Sequence, residues 1–224
     1  MSPEGLGNDH DMVGRGLTFK ASEWVLGWYR GGAEQGRESN DGPFSTVAVT
    51  DWYVDPDAPG GLGGLIYEAG LGSRHRDAPG EVAMRIECIL ADMPAPENRV
   101  RLVRDCDRLG LPRVALDYTP QPKDQARLEH TLRRAEAVLA AAGCTLVRRS
   151  GKDYRLGGTH LHGTCRAGED PQTSVVDAES RVHAIDNLWV IDGAFMPFPG
   201  GVNPTLTIQA HALRSARKLA GHLG

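Results

Sequence analysis

Apolar positions along the chain fall into three kinds of pattern. Residues 1–20 are rich in glycine and polar side chains and read as a loop. From 44 to 54 the pattern is strand-like, with Val47 and Val49 on one face, and 55–64 is a Pro/Gly turn region. Val82, Met84, Ile86 and Cys88 alternate with their neighbours, which predicts a half-buried strand. The run 93–98, with two prolines, ends it. Val100 and Leu102 then open a second strand, and Val114, Leu116 and Tyr118 a third. Alternating strands joined by short polar turns favour an antiparallel sheet.

The period then changes. Leu128, Leu132, Ala135, Val138 and Leu139 recur at helical spacing, with Pro122 near the start and Gly143 at the position that stops a helix. Thr145 to Val147 reads as a short strand. The last third is different again. Residues 160–168 are rich in Gly and His, and Leu188 to Ile191 reads as a short apolar strand ending at Asp192 and Gly193. A Pro/Gly turn over 198–202 leads into a helix reaching about Leu219, with Asn203 as its N-cap and Pro204 as its first helical residue.

Composition narrows the class. The 224 residues are 40% hydrophobic and 24% charged, as in a globular protein able to bury a core. The net charge of −4 and the lack of a basic stripe argue against a nucleic-acid partner. The arginines between 99 and 113 are interleaved with Asp105 and Asp107 and read as a solvated surface. Cys88, Cys106, Cys144 and Cys165 form no C-x-x-C pair, so a zinc ribbon is not expected. No apolar run nears the ~18 residues that span a bilayer. The opening residues are polar and acidic, so neither a signal peptide nor a membrane partner is expected, and a cytoplasmic protein with free thiols is.

Candidate chemistry concentrates between His160 and Ile208. His160 and His162 precede Gly163, Thr164, Cys165, Arg166, Ala167 and Gly168. Ser174, Val175, Val176 and Asp177 follow, then Arg181 and Val182, Asn187 and Leu188, Val190, Asp192 and Gly193. The run closes with Gly200, Gly201, Val202, Asn203, Pro204, Thr205, Leu206 and Thr207. In order and spacing this resembles the C-terminal pattern of the glucose-methanol-choline (GMC) oxidoreductases: H-x-x-G-T-C-R-M-G, S-V-V-D, R-V, N-L, V-x-D-G and G-G-V-N-P-T-L-T. Gly5 to Asn8 with Val13 to Arg15, Asp92 to Pro94, Glu97 to Val100 and Gly110 to Pro112 extend the resemblance upstream. Ala167 stands where Met is usual and Lys20 where His is common.

The resemblance implies an α+β fold: an antiparallel sheet of about six strands backed by helices including 123–142. A C-terminal strand-turn-helix would join a flavin-binding domain. It implies residues 1–20 as the edge of that domain, 21–184 as a substrate domain and 185–224 as a segment returning to the flavin domain. It also implies oxidation of an alcohol by hydride transfer to FAD. By motif position His160 takes the hydroxyl proton, a role that a histidine pKa near ~6.5 suits. Asn203 would hold the substrate oxygen through its amide. Asp192, Gly193, Asn203, Pro204 and Thr205 would contact the cofactor, through strand-end backbone and a helix N-terminus suited to negative charge. A His160/His162 metal pair has no carboxylate or thiol at ligand spacing to complete it.

The dinucleotide signature of FAD enzymes is G-x-G-x-x-G. The one comparable cluster, Gly60 to Gly64, puts Ile66 at the third glycine and lies mid-chain in a turn region. The expected partners are therefore a separate FAD-binding domain or subunit carrying that motif and a small alcohol or sugar substrate. The alternatives are a truncated piece of such an enzyme or a non-catalytic binding module derived from the family. Phe195, Met196, Phe198 and Val202 flank the turn that would face the flavin and are expected to be exposed.

Overall fold

Alternation and period place most of the regular elements, and a computed structural model describes residues 5–30, 47–71, 82–150, 155–156 and 160–223. The strands are β1 (Lys20–Tyr29), β2 (Ala48–Val49), β3 (Leu65–Leu71), β4 (Val82–Ala91), β5 (Arg99–Cys106), β6 (Pro112–Asp117), β7 (Cys144–Arg149) and β8 (Arg155–Leu156). The helices are α1 (Pro122–Ala141) and α2 (Thr205–Leu223). The fold is α+β.

The chain forms two compact units that alternate along the sequence. One comprises Ala21–Ala91 and Pro120–Gly157; the other comprises Met1–Lys20, Asp92–Thr119 and Gly158–Gly224. The first holds a six-stranded sheet in the order β2-β3-β4-β1-β7, with β8 also paired to β1. The pairs β1–β7, β1–β8, β2–β3 and β3–β4 are antiparallel. α1 packs on this sheet. Its Leu128, Leu132, Ala135 and Leu139 lie at the predicted spacing and bury against Ala21, Val25, Ile66, Cys88 and Leu90. Each leucine, isoleucine or valine among them contributes about 1.5–3 kcal/mol when fully buried. α1 also buries an ion pair, Arg127 to Asp124 at 2.6 Å, whose guanidinium donates to the Ala91 carbonyl as well. Gly143 has φ +86°, the left-handed geometry that ends a helix at little cost for glycine.

Three sequence expectations change here. β5 and β6 are strands, but they form their own two-stranded antiparallel sheet, with Val100 opposite Leu116 and Leu102 opposite Val114. The strand expected over 44–54 is two residues long within the described part; residues 44–46 lie outside it, and Thr50 onward turns back. Leu188 to Ile191 is not a strand. Its pairing is a single bridge from Trp189 to Arg181, because the polypeptide turns before and after it.

The second unit has a separate core. Val175, Val176, Val182 and Phe195 are buried there, packed by Met12, Val13, Cys165 and Ile208 among others. Cys165 follows the histidine run and Ile208 lies in the first turn of α2, so this core backs the segments that carry the candidate chemistry. No helix among the described residues is long and apolar enough to cross a membrane.

Candidate active site

The His160 segment is held by backbone pairing and by a close approach that glycine permits. Thr18 and His162 exchange both backbone hydrogen bonds, at 3.1 and 3.0 Å. Gly163 follows with φ +91°, and a Cβ there would collide with the Gly16 carbonyl oxygen. Beyond it Cys165 N donates to Ala194 O at 2.9 Å and Ala167 N to Phe195 O at 2.7 Å. These bonds tie the histidine run to the Asp192–Gly193 segment. His160 is half-buried, and His162 is 1% exposed.

Asp192 starts a short 3-10 turn, Gly193–Phe195, rather than closing a strand. Its carboxylate accepts from the Ala194 N–H at 2.8 Å, as a side-chain cap does. A Cβ on Gly193 would stand 2.7 Å from Leu161 O and 3.4 Å from Ile208 Cδ1, so this position has no room for a side chain. α2 begins at Thr205, with the Pro204 carbonyl accepting from Ile208 N at 3.0 Å. The helix therefore starts one residue later than the expected Asn203 cap and Pro204 first position.

His160, His162, Asp192, Gly193, Pro204 and Thr205 line one concavity of about 430 Å³, with Leu17, Val100 and Ile208 among its apolar walls. Five of the six residues singled out in the sequence are thus brought together. Asn203 is not in the wall; it is exposed, one residue before Pro204. The expectation for the neighbouring turn divides. Phe198 and Val202 are exposed at 38% and 53%, whereas Phe195 is buried and stacks on His211 with ring centroids 3.9 Å apart.

Sequence reasoning missed Lys20, which it treated only as a departure from the family's usual His. Lys20 is 0% exposed, and its ammonium donates to the carbonyls of Pro199 at 3.0 Å, Gly200 at 2.8 Å and Val202. It therefore clasps the turn that delivers Asn203 and α2. Burial lowers its pKa to about 8, so it remains mostly charged at neutral pH. Burial first, then the charges of Lys20 and His160, lowers the His162 pKa to about 4. The only sequence hint of this clasp was a charged residue at the end of the apolar Leu17–Phe19 stretch.

Fold and motif together place the chain with the C-terminal part of an oxidoreductase family. Residues 94–212 match the family model described as GMC oxidoreductase, and the chain belongs to that family. It is 51% identical over 224 residues to 6'''-hydroxyparomomycin C oxidase of Streptomyces lividus. It is 50% identical over 227 residues to paromamine 6'-oxidase of Streptomyces fradiae. In each case 99% of this chain aligns with 41% and 42% of the relative, so the chain spans about two fifths of the length of these curated relatives. The fructose dehydrogenase large subunit of Gluconobacter japonicus is 30% identical over 242 residues, covering 99% of this chain and 43% of that protein. Among solved structures, a formate oxidase from Aspergillus oryzae studied for modification of its FAD aligns over 96% of this chain and 48% of its own, with TM-score 0.68 and 16% identity. Pyridoxine 4-oxidase from Mesorbium loti aligns over 96% and 45%, with TM-score 0.60 and 18% identity. At those identities the likeness establishes the fold.

Proposed function

We propose that this chain is the substrate side of an FAD-dependent oxidoreductase that oxidises a CH–OH group of a sugar-like alcohol, working with an FAD-binding domain or subunit that carries the G-x-G-x-x-G turn. The observation that carries the reading is the shared concavity: the base candidate His160 and the cofactor-contact candidates Asp192, Gly193, Pro204 and Thr205 face the same space.

The residues present fit the ring end of a flavin. The start of α2 borders the concavity and supplies N–H groups and partial positive charge. A bound FAD would supply the acceptor for the hydride of the carbinol carbon. His160 accepts the hydroxyl proton, so that the C–OH becomes C=O. By motif position Asn203, exposed one residue outside the wall, would donate its side-chain amide hydrogen to the substrate oxygen, and Lys20 holds the turn that precedes it. The relatives' names point to amino-sugar alcohols such as paromamine as first substrates to try.

The test is to assemble the chain with its flavin domain and add paromamine without oxygen. Bleaching of the oxidised flavin band supports the reading. A yellow complex that paromamine and simple sugars leave unbleached refutes it.

A further inference from the structure

The six-stranded sheet of the first unit has two faces of unlike chemistry. α1 covers one of them, over Val25, Ile66 and Cys88. Alternation turns Trp24 of β1, Tyr67 of β3, and Arg85 and Glu87 of β4 to the other. All four are half-buried. Tyr67 stands directly opposite Glu87, and the Arg85 guanidinium lies 4.6 Å over the Trp24 ring.

Glu87 is the uncompensated member of this group. Its carboxylate accepts one hydrogen bond, from the Tyr67 hydroxyl at 2.6 Å. Burial first, then this bond, raises the Tyr67 pKa, so the phenol keeps its proton and donates it. Arg85, two residues away on the same face, turns its guanidinium to the Ala69 carbonyl and the Trp24 ring instead. Among the described residues no cation pairs with Glu87. A carboxylate has about four acceptor positions, and one drawn partly out of water is normally met by a positive charge. We propose that this face of the sheet is a subsite for an amino sugar, whose ammonium group pairs with Glu87.

The neighbours select the rest of the ligand. The Tyr67 ring offers an apolar surface to the C–H side of a sugar ring. Arg85 uses Nε and Nη2 on Ala69, which leaves Nη1 to donate to a hydroxyl oxygen. A neutral sugar would leave the carboxylate uncompensated, and an anionic one would be repelled by it. An alkylammonium without hydroxyls would leave Arg85 Nη1 unused. Naming an amino sugar rests on the oxidoreductase reading above; the unpaired carboxylate does not.

The test uses paromamine and its fully N-acetylated derivative, which keeps the rings and hydroxyls but carries no charge. Equilibrium dialysis on the 224-residue chain should show paromamine bound at least about tenfold more tightly than the derivative. Glu87→Gln, whose amide oxygen still accepts from Tyr67, should lose that preference. Glu97→Gln, the same change of charge on an exposed turn, should keep it. Equal binding of the two compounds by wild type, or binding of neither, overturns the subsite whether or not Glu87→Gln folds. A preference that Glu87→Gln retains, or that both variants lose equally, overturns it as well. Failure of the alcohol-oxidation reading would show separately, as a flavin that paromamine leaves unbleached, and would leave the preference for the charged compound in place.

Discussion

Lys20 and Gly200 lie 180 positions apart in the chain and are joined by a 2.8 Å hydrogen bond from Nζ to the carbonyl oxygen. With Pro199 and Val202 as the other acceptors, all three ammonium hydrogens are spent on one turn. A hydrogen bond to a charged group contributes about 1.5–3 kcal/mol. Lys20→Met keeps most of the volume and removes every donor. Amide exchange at Gly201, Val202 and Asn203 should accelerate by about tenfold or more, with a lower melting temperature, whereas Lys20→Arg should restore part of the protection. Unchanged exchange in Lys20→Met would show that the turn holds itself.

His162 ties stability to pH. Its folded-state pKa of about 4 lies below the ordinary histidine value of 6.5. Between those values the unfolded chain binds more protons than the folded one, so stability rises with pH across the window and is lost as pH falls through it. The ceiling on the loss is about 3 kcal/mol below pH 4. Urea titrations between pH 4 and 7 should show this slope, and His162→Leu should flatten it. An equal slope in both proteins would place the acid-sensitive group elsewhere.

The Arg127–Asp124 pair makes a prediction that is independent of function. Both side chains are almost wholly buried in α1. Removing one partner strands the other charge, so Arg127→Ala should cost about 3–5 kcal/mol in chemical denaturation. Replacing both with apolar residues, as Arg127→Met with Asp124→Leu, should recover most of that loss. A cost below about 1 kcal/mol for the single change would mean that water reaches the site.

What the sequence revealed depended on whether the information was local. α1 was legible because Leu128, Leu132, Ala135 and Leu139 repeat at its period and Gly143 stops it. β4 showed through alternation alone. β1 did not, because Lys20 to Ser22 are buried on both faces and leave no alternation to read, while Lys20 and Glu23 look like surface residues. β5 and β6 were visible as strands, but nothing in their composition says that they pair with each other apart from the larger sheet. At the site, the motif grouped His160 with Asp192, Gly193, Asn203, Pro204 and Thr205, and the concavity gathers all of these except Asn203. The Lys20 clasp was hidden because its acceptors are backbone carbonyls, which carry no side-chain signature.

The central claim is that His160 takes the proton of the alcohol being oxidised. Anaerobic stopped-flow reduction of the flavin-loaded protein by paromamine tests it most directly, comparing His160→Ala with wild type and with Asn203→Ala. A positioned general base contributes roughly 10²–10⁴ in rate. The His160→Ala rate should fall by about that factor with little change in substrate affinity, and Asn203→Ala should also be slowed. A His160→Ala protein that reduces its flavin at the wild-type rate would contradict the account.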